Sequence, residues 1–120
     1  MFINLSNHPA ANWSAEQKSS AELLFGEIID LPFPVVDPAG DEMYIAALAD
    51  EYCMKVTAIS KGQPTIVHLM GEMTLTFALL QRLQSQGICC VASTTERETV
   101  DYPDGRKESV FHFVRFRKYF

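Results

Sequence analysis

The stretch NLSNHP, residues 4–9, places Ser6, Asn7 and His8 in a polar turn fixed by Pro9, just ahead of the lone tryptophan, Trp13. An imidazole with the reference pKa of about 6.5 exchanges protons near neutrality, so His8 is a candidate general acid or base. A second stretch, HLMGEMT at 68–74, offers Gly71, Glu72, Met73 and Thr74 where a helix should begin. A helix N-terminus presents unpaired N–H groups and a partial positive charge, and a glycine there lets a ligand approach the backbone closely. A third, ASTTER at 92–97, supplies the hydroxyls of Ser93, Thr94 and Thr95 and the bidentate fork of Arg97. Together these are the groups that hold a phosphate and move a proton beside it. Glu72 is the odd member: it suits the helix dipole but repels a phosphate unless it holds a cation or a ribose hydroxyl.

Each residue also has a plainer role. His8 can cap its own turn, and His68 can be a hydrogen-bonded core residue inside a strand. His112 alternates with exposed positions and reads as surface. Trp13 can pack over the first helix as a hydrophobic staple. Ser93–Thr95 can be no more than a strand end. The Gly-Glu-Met turn matches neither GxGxxG nor the Walker pattern, so the expectation is no cofactor.

The elements that must position these groups follow from periodicity. MFINL, EIIDL, TIVHLM and ICCVAST are short apolar runs of the kind that form buried strands. SAEQKSSAELLF opens with a capping box at Ser14 and Gln17, with Ala21, Leu24 and Phe25 as its apolar side. Asp41 can cap a second helix whose apolar residues, Ile45, Leu48, Ala49, Tyr52, Val56 and Ile59, recur at helical spacing. MTLTFALLQRLQSQ is a third helix, closed by Gly87. RETVDYPDGRKESVFHFVRF reads as two strands around a Pro-Asp-Gly turn.

Alternating strands and helices imply an α/β, Rossmann-like parallel sheet with helices on both faces, because right-handed crossovers permit little else. The economical strand order is 2-1-3-4 with a C-terminal β-hairpin beyond, in one domain over residues 1–120. Ligands in such sheets bind at the carboxyl ends of the strands, where the order reverses. Here that point lies between strands 1 and 3, with the segment after strand 4 expected as a loop next door. The three stretches should therefore meet in one crevice.

Composition narrows the function. A net charge of −5 argues against a protein that coats long nucleic acid, although Arg106, Lys107, Arg115, Arg117 and Lys118 gather positive charge at the C-terminus. No apolar run approaches membrane-spanning length, and the start, MFINLSNHP, does not read as a leader, so the expected location is cytoplasmic. Cys53, Cys89 and Cys90 form neither a CxxC pair nor a zinc pattern and read as small buried hydrophobes; no metal is expected.

At these same residues the sequence resembles the small CRISPR-associated ring-nuclease families with a CARF-like domain, and a wider group of short bacterial proteins of the same pattern. The likeness runs over most of residues 1–92, through NLSNHP, IIDLPFPVVD and HLMGEMTLTFALLQRLQSQG. It implies a homodimer with two facing crevices, a cyclic oligoadenylate second messenger as ligand, and metal-independent cleavage by attack of a ribose 2′-hydroxyl on the adjacent phosphate. The positions it carries over are Ser6, Asn7 and His8, with Gly71, Glu72, Met73 and Thr74; the basic group wanted beside the phosphate is left to Arg97. His8, Glu72 and Arg97 are then the catalytic candidates, and Ser6, Asn7, Gly71, Met73, Thr74, Ser93, Thr94 and Thr95 the ligand-binding ones. A non-catalytic nucleotide-sensing or partner-binding module is the alternative. A third reading is an assembly protein built on the aromatic hairpin, with Phe111, Phe113, Phe116, Tyr119 and Phe120.

Overall fold

The computed structural model describes residues 1–120. Its central strand, β1 (Phe2–Ser6), is buried along its whole length, which is why a five-residue run this apolar can sit only inside a sheet. β2 (Ile28–Asp30) flanks it on one side and β3 (Ile66–Met70) on the other, both parallel to it. β4 (Cys89–Asp101) continues the parallel set beside β3, and β5 (Lys107–Lys118) returns antiparallel to β4. The order is β2-β1-β3-β4-β5, the doubly wound arrangement with a terminal hairpin.

Alternation along the strands gives each face its own core. Ile3, Leu5, Val67, Leu69 and Cys90 point to one face, covered by α2 (Glu42–Ser60) and α3 (Met73–Ser85) through Ala49, Cys53, Val56, Leu75, Leu79 and Leu83. Phe2, Val91 and Phe116 point to the other, covered by α1 (Ala15–Phe25) and Trp13 through Ala21 and the half-buried Phe25. Ser14 caps α1 by accepting from the Gln17 N–H at 3.1 Å, and Asp41 caps α2 by accepting from the Tyr44 N–H at 2.9 Å. Leu24, expected on the apolar side of α1, is instead 61% exposed, and the apolar residues by which the helix meets the sheet are Ala21 and Phe25.

Two expectations change. The segment after strand 4 is not a loop: Ser93–Arg97 and the first arm of the hairpin are all part of the single strand β4. No Gly or Pro interrupts residues 88–102, and β5 supplies partners from Val91 to Asp101, so nothing stops the strand. β3 pairs only as far as Val91, so beyond it β4 and β5 leave the sheet as a two-stranded arm. The Cα radius of gyration is accordingly 16.1 Å, against about 13.6 Å for a compact chain of this length.

Gly71 also has a different use. The chain after β2 continues along β1, with Leu31 N–H to Asn4 O at 2.9 Å and Phe33 N–H to Ser6 O at 3.2 Å. This drives the buried Phe33 ring against Gly71, where any Cβ would overlap it. The missing side chain makes room for an aromatic ring of the protein itself. Gly71→Ala should therefore cost about 1–3 kcal/mol through overpacking, read as a lower urea midpoint, and adding Phe33→Leu should recover part of the loss.

Candidate functional site

The parallel register sets polar residues of successive strands side by side on the α1 face. Asn4 is aligned with both Asp30 and His68, and Ser93 lies two residues past Val91, the partner of His68. The Asn4 amide, 1% exposed, ties this line together. Its Nδ2 donates to Asp30 Oδ1 at 2.9 Å and to the His8 carbonyl at 2.9 Å. Both partners can only accept, which fixes the orientation of the amide and leaves Oδ1 facing the other way. That oxygen accepts from Ser6 Oγ at 2.8 Å and from His68 Nδ1 at 2.8 Å.

The tautomer of His68 follows. Nδ1 carries the hydrogen, so in the neutral ring Nε2 is the acceptor, and Ser93 Oγ lies 3.2 Å from it. Ser93 Oγ is also 3.2 Å from Met70 Sδ, but a thioether is a far weaker acceptor than an imidazole nitrogen, so the Ser93 proton belongs to His68. Burial, and secondarily the neighbouring His8, push the His68 pKa down to about 4, so the ring is neutral near pH 7. The rings of Trp13 and Phe116 meet the imidazole edge-on, at 5.2 and 5.6 Å between centroids.

Above this line the turn after β1 is built around one atom. The His8 carbonyl accepts from Asn4 Nδ2 and from Trp13 Nε1 at 3.0 Å, while Ser6 Oγ, its hydrogen given to Asn4, accepts from the His8 N–H at 3.3 Å. Trp13 is thus more than a staple: it buries its ring in the core and ties down the turn, which a short 3₁₀ turn (Ala10–Asn12) then leads into α1. The backbone of His8 is clamped while its side chain is exposed at the crevice.

That crevice, of about 650 Å³, lies at the carboxyl ends of β1 and β3. Ser6, Asn7 and His8 line it from the first turn and Gly71 from the second. Ser93 and Thr95 come from β4, and Phe111 and Phe113 from β5. Trp13, Ser14 and Gln17 close the α1 side. Its lining contains no Lys, Arg, Asp or Glu. No three of the chain's His, Cys, Asp and Glu side chains cluster closely enough to hold a metal ion.

Six of the eleven catalytic and ligand-binding candidates, Ser6, Asn7, His8, Gly71, Ser93 and Thr95, meet here. The other five do not line the crevice. Glu72 turns back on its own helix, accepting from the Thr74 N–H at 3.0 Å, the Leu75 N–H at 2.8 Å and Thr74 Oγ1 at 2.7 Å. Those backbone bonds, chiefly from Leu75 and Thr74, hold its carboxyl below the usual carboxylate range. The N–H groups expected to receive a phosphate at Thr74 and Leu75 are thus taken by the protein's own carboxylate. Met73 is 84% exposed. Thr94 faces the other way and donates to the Arg115 carbonyl. Arg97 shares the crevice face but lies farther out on the arm, donating to Ser109 Oγ at 2.9 and 3.1 Å. His112 is exposed and paired with Glu98.

Asn4 and Asp30 were missed in the sequence, and His68 was read only as a core residue. The available signal was a polar residue, Asn4, Asp30 or His68, within each of three mainly apolar strands, FINLS, IID and IVHLM. It takes the register to align them.

The fold and the crevice define an α/β protein with a Rossmann-like sheet and an open crevice at its topological switch point. Residues 1–117 match the Uncharacterized protein MJ1673 family, and the chain belongs to it. No curated protein and no solved structure matches the chain. No helix is long and apolar enough to cross a membrane.

The buried imidazole gives stability a pH dependence. Between the unfolded value of 6.5 and the folded value of about 4, the unfolded chain binds a proton that the native one does not. This contribution is therefore complete above about pH 6.5 and is lost as the pH falls to 4, by roughly 3 kcal/mol. Urea midpoints measured at pH 7, 5.5 and 4 should show that decline, and His68→Gln should remove it.

Proposed function

We propose that this protein binds a cyclic oligoadenylate in the crevice and opens the ring without a metal, by attack of a ribose 2′-hydroxyl on the adjacent phosphate. The observation that carries the reading is the meeting of imidazole, hydroxyl and aromatic groups at the switch point. Phe111 and Phe113 offer aromatic surface for an adenine base beside the buried Trp13. His8 and Asn7 offer polar side chains in the turn after β1 for the sugar-phosphate, and Ser93, within β4, offers a hydroxyl oxygen that can accept from a ribose hydroxyl. The volume falls within the range of about 300–1,000 Å³ typical of small-molecule sites. A two-fold homodimer with facing crevices would match a ring that has its own symmetry. On this reading the protein works in the cytoplasm.

A second reading is a nucleotide-sensing module without turnover. It is favoured by the neutral lining and by the capture of Glu72 at the start of α3, which leave no fixed cation in the crevice itself.

Incubation with cyclic tetra- and hexa-adenylate should yield linear products ending in a 2′,3′-cyclic phosphate and raise the melting temperature. Unchanged ligand together with an unchanged melting temperature removes the first reading. His8→Ala should slow cleavage by about 100-fold on the first reading, whereas on the second only affinity falls, and modestly.

A further inference from the structure

The line Asp30, Asn4, His68 and Ser93 crosses four strands, and its two middle members, Asn4 and His68, are buried where apolar side chains would pack at least as well. Polar groups placed there cost desolvation, which their hydrogen bonds only return. Its geometry has the three-part form of an activated hydroxyl: an oxygen at the crevice, a base within reach, and a third group that orients the base. Ser93 is half-buried in the crevice lining, whereas His68 is 2% exposed and meets the crevice through Ser93 Oγ. Asn4 Oδ1 holds the imidazole with its Nε2 lone pair toward that oxygen, and the Asp30 carboxylate, fixed also by the Ala10 N–H at 3.1 Å, polarises the amide from behind.

We propose that Ser93 and His68, aligned by Asn4 and Asp30, form a proton relay that deprotonates a hydroxyl held in the crevice. This rests on the reading above, in which that hydroxyl is the ribose 2′-hydroxyl of a bound oligoadenylate. In the step, the 2′-hydroxyl passes its proton to Ser93 Oγ as Ser93 passes its own to His68 Nε2. The 2′-oxygen forms a bond to phosphorus, and the bond from phosphorus to O5′ breaks. O5′ leaves with the electron pair and takes a proton from His8 at the crevice mouth. The products are a 2′,3′-cyclic phosphate and a 5′-hydroxyl. Solvent then returns a proton to His8 and removes one from His68. The ionisable groups about His68 are His8 in the turn after β1 and, through Asn4, Asp30 on β2.

The test has two arms on the full chain. In the first, single-turnover cleavage of cyclic tetra-adenylate is followed for Ser93→Ala, His68→Gln and the double variant, with binding read by melting shift. Each single variant should lose at least about 100-fold in rate while still binding, and the double should lose no more than the worse single. Cleavage by Ser93→Ala within about 3-fold of the parent protein overturns the relay, as do losses that multiply in the double variant.

The second arm needs no nucleotide. Treatment with an alkyl fluorophosphonate should form a bond from Ser93 Oγ to phosphorus and expel fluoride as the proton moves to His68. Peptide mass spectrometry should find the adduct on Ser93 and lose it in His68→Gln, and nitrogen NMR should find the His68 hydrogen on Nδ1. An unlabelled Ser93, or a hydrogen on Nε2, overturns the relay even if cleavage occurs. A protein that takes the label but neither binds nor cleaves the oligoadenylate keeps the relay and refutes the identity of its hydroxyl.

Discussion

One side-chain amide holds the site together. Asn4 uses both of its hydrogens and both of its lone pairs, on Asp30, the His8 carbonyl, Ser6 and His68. Three strands and a turn are thereby referred to a single planar group, and the orientation of that plane is decided by two partners that can only accept. From it follow the tautomer of His68, the direction of the Ser93 hydroxyl and the position of the turn that carries the His8 imidazole. An aspartate there would bring a second carboxylate beside Asp30 and supply no donors, so the smallest chemical change at this position would reverse half of its bonds.

Much of the fold was legible in the sequence because its signals are local. Capping residues at Ser14 and Asp41, helical spacing in α2, and four apolar runs fix the elements, and crossover handedness leaves little freedom in their order. The pairing of β1 with β3, which brings His8 and Gly71 to one crevice, followed from that logic. The extent of β4 did not, because the hydroxyl-rich segment at 93–95 resembles a strand end until its partner of equal length is known. The roles of Asn4 and Asp30 were out of reach for a different reason. A polar residue in a buried strand acquires meaning only from what the register sets beside it, and register is a property of the assembled sheet.

The start of α3 shows how one carboxylate redirects a site. A bare helix N-terminus beside the crevice would attract anions, but Glu72 already satisfies the Thr74 and Leu75 N–H groups and brings its own negative charge. The chemistry of the crevice is left to neutral donors, aromatic surfaces and imidazoles. Such a lining favours contacts by shape and hydrogen bonding, which salt screens far less than those of a cationic groove.

The pairing of β4 with β5 shifts register between Thr94 and Thr95, so that Phe113 and Phe116, three apart, share a face and pack with 5.0 Å between centroids. The extra residue, Val114 on β5, thus ties the root of the arm to the core through Phe113. The crevice has one wall in the packed body, at Trp13 and His68, and another on the exposed ribbon, at Phe111.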